Sequence, residues 1–267
     1  MMNVEILTVG NEILLGRIED TNSNYLCRVV RGVGGQVRHI AVVRDEVSAI
    51  ADELQHSLER GAKMIFTCGG LGPTDDDVTL AGVAKATGRK LEVNADALEF
   101  VARRYTELAQ QGYVSRANMN EARVKMATLP EDARIVDNPV GAAPAVVLEV
   151  NDTRIVSLPG VPAELKAIVE GPLQSLMAEF FGGGSYHELE MIVGCGDESV
   201  LAPALKRVAQ LHPEVYLKSR ANRFGPDARF RIVISASAKS SNEAYRMVAS
   251  AASDLTRTLE AAGISAG

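Results

Sequence analysis

The 267-residue chain contains no tryptophan, and only 4% of its residues are aromatic. Its core must be built from Ala, Val, Leu and Ile, and aromatic platforms for stacking nucleic-acid bases are not expected. Cysteine is scarce as well. Cys27, Cys68 and Cys195 are odd in number, far apart and outside any CxxC pair, which argues against a disulfide framework or a structural zinc site. His39, His56, His187 and His212 share no metal-ligand spacing. No 18 apolar residues run together, and MMNVEILTVGNEI has neither a basic segment nor a small-residue cleavage site. A soluble cytoplasmic protein without a membrane partner is therefore expected. An excess of positive charge is also missing: 28 Lys and Arg against 34 Asp and Glu give −6, which argues against a surface gripping nucleic acid over its whole extent.

What is present is a globular mixture, 46% hydrophobic and 23% charged, which excludes wholesale disorder. The length suits two modest domains. Apolar runs at Val4 to Val9, Val37 to Val43 and Lys63 to Thr67 alternate with helical patterns. One follows caps at Asp20 to Asn24, and the other runs from Glu46 to Arg60 with Val47, Ile50, Leu54 and Leu58 on one side. This alternation predicts an α/β fold with a mostly parallel sheet covered on both faces. Further helices are expected at Ala95 to Gln111, Asn118 to Ala127 and from about Ala163. Strands are expected at Arg134 to Val136, Ala145 to Val150 and Arg154 to Ser157, the last two joined by a tight turn at Asn151 and Asp152.

The run FGGGS, Phe181 to Ser185, is the clearest linker, because consecutive glycines resist regular structure. The domains are accordingly placed at residues 1–181 and 185–267. The second is expected to be a small α+β domain of order β-α-β-β-α, ferredoxin-like or KH-like.

The most informative stretch is TCGGLGPTDDDVT, Thr67 to Thr79. Glycines after a parallel strand let N–H groups approach a phosphate, and the following helix adds its positive end. Gly69, Gly70, Gly72, Pro73 and Thr74 are the expected phosphate cradle. The three aspartates after them would repel a phosphate unless a divalent cation such as Mg²⁺, Mn²⁺ or Co²⁺ lay between. The plain alternative is that Asp75 to Asp77 only cap the helix. Asp45 follows the second strand and Glu12 the first, so both fall at the sheet edge where ligands of open α/β sheets collect. Asp45 also reads as an ordinary helix N-cap, and Glu12 as a solvated loop residue. NPVGAAP, with Asn138 and Gly141, and LPGVP, with Pro159 and Gly160, are rigid loops able to border a pocket.

The segments VGNEILLGRIEDTNSNYL, TCGGLGPTDDDVT, NPVGAAPAVVLEV and LPGVPAELK occur in the order seen in CinA-type proteins, and the chain resembles their molybdopterin-binding-like domain over most of residues 4 to 175. The smaller domain, with GCGDES at Gly194 to Ser199, looks like the KH-type second domain of that group. The resemblance implies a three-layer αβα fold shared with the MoaB/Mog group, and metal-dependent hydrolysis of ADP-ribose or a related dinucleotide such as FAD. It implies active-site roles for Asp77 and Asp45; the reading built on this has Asp77, with Asp76 and with Asp45 as a further candidate, holding one or two divalent ions. Cys68 where Thr is common and LPGVP in place of LPGPP depart from the pattern. The amidohydrolase domain that ends full-length CinA chains does not occur within these residues, so nicotinamide mononucleotide deamidation is not expected.

Two other readings stay open: a pterin adenylyltransferase on the same fold, and a module that binds a pterin or nucleotide without turnover. RNA is the weaker candidate, because Lys218, Arg220, Arg223, Arg229, Arg231 and Lys239 form a basic run without the GxxG loop of RNA-binding KH domains. That hairpin better suits delivery of Lys218 to a phosphate. A homodimer is expected, since a domain of about 80 residues has little core of its own.

Overall fold

The structure is a computed structural model that describes residues 2–195, 197–221 and 229–264. It divides into two compact units, one formed by Met1–Val30 with Gln36–Met177, the other by Arg31–Gly35 with Ala178–Gly267.

The larger unit begins with β1 (Asn3–Val9), α1 (Asn11–Leu14), α2 (Thr21–Gly32), β2 (Gln36–Val43), α3 (Val47–Glu59), β3 (Met64–Cys68) and α4 (Thr79–Thr87). It continues through β4 (Leu91–Val93), α5 (Ala95–Gln110), α6 (Glu121–Met126), β5 (Thr128–Pro130), β6 (Arg134–Val136), β7 (Ala145–Val150), β8 (Thr153–Leu158) and α7 (Pro162–Glu170), and the division at Met177 falls within α8 (Gln174–Phe181). Its main sheet has the order β2-β1-β3-β8-β7-β6. The first four strands are parallel, and β7 and β6 are antiparallel. Asn151, in the β7–β8 turn, has φ 52°, a left-handed conformation that Asn tolerates well.

Successive strand side chains point to opposite faces, and both faces of the central strands are buried. Leu7 and Val9 of β1, Ile65 of β3 and Ile155 of β8 join Ile50 and Leu54 of α3, Leu80 and Val83 of α4, and Phe100 of α5 in one cluster. Val4, Ile6, Met64, Phe66 and Val156 are equally buried but outside it. Leu26 and Val30 of α2 and Leu165 and Ile168 of α7 are buried too, and Tyr25 Oη links these two helices by donating to Glu170 at 2.9 Å. The αβα expectation is met. β2, at the edge, is only partly buried. The short α1, the β4–β5 pair and α8 are additional to the expected elements; such short segments carry little periodicity.

In the smaller unit the order is β9 (Ser185–Gly194), α9 (Glu198–Leu211), β10 (Tyr216–Ala221), β11 (Arg229–Ala238) and α10 (Ser241–Ala261). The antiparallel sheet runs β10-β11-β9. Phe230, Ile232, Ile234 and Ala236 alternate inward along β11 onto Leu201 and Val208 of α9 and Val248, Leu255 and Leu259 of α10. Of the basic run, Arg223 lies outside the described residues, as does Gly196 of GCGDES. Lys218 and Arg220 are exposed on β10, an edge strand, and Arg231 pairs with Glu190 at 3.2 Å.

One polar feature of the larger core escaped the sequence reading. Glu5 on β1 is 2% exposed, and Arg60 answers it with Nε at 3.1 Å from each carboxylate oxygen and a terminal nitrogen at 2.6 Å. Removing only the cation leaves a buried charge unpaired, which costs 3–5 kcal/mol for a fully buried pair. Because Arg60 itself is partly exposed, Arg60→Met is expected to lower stability by about 2 to 3 kcal/mol, read by urea unfolding. Glu5→Leu in the same background should recover most of the loss.

Candidate functional site

The parallel strands end in register: Val9 lies beside Val43, Thr8 beside Cys68, and Cys68 beside Leu158. The loops leaving these ends enclose a cleft of about 630 Å³ built wholly from the larger unit. Glu12, Asp45, Gly69, Gly70, Gly72, Pro73, Asp76, Asp77, Pro159 and Gly160 all line it.

The glycine loop is shaped by close approaches. Gly69 and Gly70 have φ of 104° and 67°, where a side chain would be strained. A Cβ on Gly69 would also meet the Val9 carbonyl oxygen, and one on Gly70 the Thr79 hydroxyl. Thr79 is fully buried and staples the loop to α4: its hydroxyl donates to Gly69 O at 2.7 Å and its N–H to Gly70 O at 3.2 Å. The N–H of Gly69 is used by Leu158 O, whereas those of Gly70, Leu71 and Gly72 donate to nothing among the described residues. A cleft wall with unspent N–H groups ahead of a helix suits an anion.

The aspartates do not cap α4. Its N-cap is Val78, with no side-chain hydrogen bond. Instead Asp77 Oδ2 accepts from Thr74 N at 2.9 Å, and the Thr74 hydroxyl lies 2.5 Å from both Asp77 Oδ2 and Asp76 Oδ1. One hydroxyl proton serves two carboxylates. The Thr74 hydroxyl, more than any other influence, holds the Asp76 carboxyl below its ordinary value. Asp45 does not cap the helix that follows it either, since the N-cap of α3 is Glu46. Its Oδ2 accepts from Asn11 N at 2.7 Å, across to the start of α1. The Glu12 carboxylate folds back onto Gly10, where a Cβ would meet Oε1 at 2.7 Å.

Thr74 supports the cleft without lining it, and Asn138 and Gly141 also stand behind its wall. Asn138 Nδ2 donates to Ala143 O and to Glu164 Oε2, and its Oδ1 accepts from Val140 N and Gly141 N. Every bond its amide can make is spent on holding the loop and orienting Glu164. A Cβ on Gly141 would collide with that carboxylate. Lys218 belongs to the smaller unit.

Other participants were missed by sequence reasoning. Asp20, read only as a helix cap, receives Ser23 N at 2.9 Å, Ser23 Oγ at 2.6 Å and Thr8 Oγ1 at 2.9 Å. Asn22 Nδ2 donates to Gly160 O at 2.8 Å. With Glu19 and Glu164, the lining carries seven carboxylates, at positions 12, 19, 20, 45, 76, 77 and 164, and no Lys, Arg or His among the described residues. Burial pushes the Cys68 thiol well up, so it is a protonated wall residue rather than a nucleophile.

Among the described residues, no three His, Cys, Asp or Glu side chains converge as a ready-made metal cage. Asp76 and Asp77 around one hydroxyl still fit an ion of the Mg²⁺ type, which takes one or two carboxylates and draws its remaining ligands from water and substrate phosphates.

Residues 5–178 match the family described as "Probable molybdopterin binding domain". A protein of Aeropyrum pernix is 41% identical over 235 residues, covering 87% of this chain and 85% of that one. A protein of Pyrococcus horikoshii is 39% identical over 202 residues, covering 76% and 78%. Among solved structures, the protein CinA with unknown function from Thermoplasma acidophilum superposes with a TM-score of 0.59 at 34% identity, over 66% of this chain and 98% of that one.

Thr79→Val keeps the side-chain volume but leaves the buried Gly69 carbonyl without its donor. The expected loss is about 1 to 3 kcal/mol of unfolding free energy, read by urea denaturation of the intact chain.

Proposed function

The chain belongs to the molybdopterin-binding-domain family, and from that premise we propose that it is an enzyme hydrolysing a nucleoside diphosphate linkage, with ADP-ribose or FAD as substrate class. The observation that carries the proposal is the pairing of an N–H-rich glycine loop with seven carboxylates and no cationic side chain in one cleft. Such a wall repels a bare phosphate and accepts one accompanied by a divalent cation.

In this reading Asp76 and Asp77 hold the cation. When bound, it would supply charge neutralisation at the phosphate oxygens and a water of lowered pKa. The N–H groups of Gly70, Leu71 and Gly72 orient the phosphates. Asp45, fixed by Asn11 N–H, and Glu12, above Gly10, are assigned to position the attacking water and take its proton. Water adds to one phosphorus, the bridging P–O bond breaks, and ADP-ribose leaves as AMP and ribose 5-phosphate.

The family description names molybdopterin binding, and two further readings use the same site: adenylyl transfer to a pterin, and binding of a pterin or nucleotide without turnover. Incubation with ADP-ribose, FAD, NAD and adenylylated pterin, each with Mg²⁺, Mn²⁺ or Co²⁺, tests hydrolysis by release of AMP, and incubation with ATP and a pterin phosphate tests adenylyl transfer by release of pyrophosphate. Activity is expected to vanish with a chelator, and Asp77→Asn to reduce turnover by about 10² or more while the circular dichroism spectrum is retained. Wild-type turnover in that variant would make Asp77 a loop anchor only.

A homodimer working in the cytoplasm belongs to the same proposal. The three cysteines are free and, among the described residues, no helix is long and apolar enough to cross a membrane. Lys218, exposed on β10, is the cation we expect a partner copy to offer to phosphate-bearing ligands. Light scattering should give a dimer at micromolar concentration, and Lys218→Ala should weaken AMP binding without lowering thermal stability. A monomer, or unchanged affinity, removes the corresponding half.

A further inference from the structure

We infer that Asn22 determines specificity in the cleft: its amide oxygen accepts a hydrogen bond from the nucleoside part of the ligand, either an amine of the base or a hydroxyl of the ribose. The inference rests on the nucleotide reading above. Asn22 is 8% exposed and lines the cleft. Its Nδ2 donates to Gly160 O at 2.8 Å, which fixes the amide. Turned by half a revolution, Oδ1 would face the Gly160 carbonyl with no proton between two acceptors. Held as it is, Oδ1 is buried and meets no donor among the described residues. Buried acceptors nearly always have a partner, so an orphan in a cleft wall is a place for a ligand donor.

Neighbouring protein donors are already committed. The Thr8 and Ser23 hydroxyls, each with one proton, and the Ser23 N–H are directed to the Asp20 carboxylate. With Glu19 beside them in the lining, two carboxylates and the Asn22 oxygen make this part of the cleft rich in acceptors, and the Thr21 hydroxyl and the second Asn22 amide proton are its remaining side-chain donors among the described residues. A phosphate is repelled here, whereas an amine or hydroxyl is matched. The cleft is thus polarised: phosphates go to the glycine loop, and the donor-bearing part goes to Asn22. Asn3 Oδ1 and Thr67 Oγ1 are also buried without partners, but neither residue lines the cleft.

Calorimetric titration of the full chain with Mg²⁺ tests this with three probes: AMP, 2′,3′-dideoxy-AMP, which lacks the ribose hydroxyls, and purine riboside 5′-monophosphate, which lacks the amine. The expected result is that one analogue binds the wild type at least about tenfold more weakly than AMP. In Asn22→Ala, AMP should weaken by a similar factor and the penalty for that analogue should disappear. If that variant does not fold, Asn22→Ser, whose short hydroxyl cannot reach both Gly160 O and the ligand, should lose the discrimination in the same way. Equal binding of all three probes to the wild type overturns the inference, as does a penalty that persists in Asn22→Ala or, where that variant does not fold, in Asn22→Ser. Either result leaves the hydrolase reading standing. Failure of the wild type to bind AMP at all removes the nucleotide reading and this inference with it.

Discussion

Everything at the cleft depends on the parallel alignment of β1, β2, β3 and β8. Parallel strands in register deliver the loops that follow them to one edge, and here those loops bring Glu12, Asp45, the glycine segment and Gly160 together. The register is held by burial. β1 and β3 are enclosed on both faces, so a slip of one residue would exchange Leu7 and Ile65 for Ile6 and Phe66 against helices shaped for the others. The close approach of the loops then follows. A Cβ on Gly160 would stand 3.3 Å from the Gly69 Cα, and one on Gly69 would strike the Val9 carbonyl.

The same edge shows how an acidic site is kept acidic. Where a carboxylate lies inside the sheet, as at Glu5, it is neutralised by Arg60 and the two form a structural pair. At the cleft the carboxylates are held by uncharged donors instead: Asp20 by Thr8 and Ser23, Asp45 by the Asn11 N–H, Asp77 by Thr74, and Glu164 by Asn138. Neutral donors fix direction without cancelling charge. The accumulated negative charge of the cleft is what the proposed cation would answer, beside the N–H groups of the glycine loop.

The parts of this site legible in the chain were those whose chemistry is local. Glycines followed by aspartates after a short apolar run announce a turn at the end of a strand, and the period of residues 46–60 announces a helix covering it. Roles that depend on a partner far along the chain were not legible. Asn22 gains its meaning from Gly160, 138 residues away. Asp45 gains its own from Asn11, which turned an apparent helix cap into a brace between two loops. Asn138 sat in a loop that read as pocket-bordering, yet its amide is consumed behind the wall.

Hydrophobic periodicity and turn chemistry act over a few residues, and so the sequence by itself determined the α/β character, the order of most elements and the location of the glycine loop. It also determined that the chain carries more acid than base, with no aromatic platform. Tertiary structure alone decided which acids share a cleft, which are spent on neighbours and which buried polar atoms are left without a partner. Those outcomes are set by strand register and by hydrogen-bond geometry within about 3 Å, and a linear pattern does not contain distances between residues that only folding brings together.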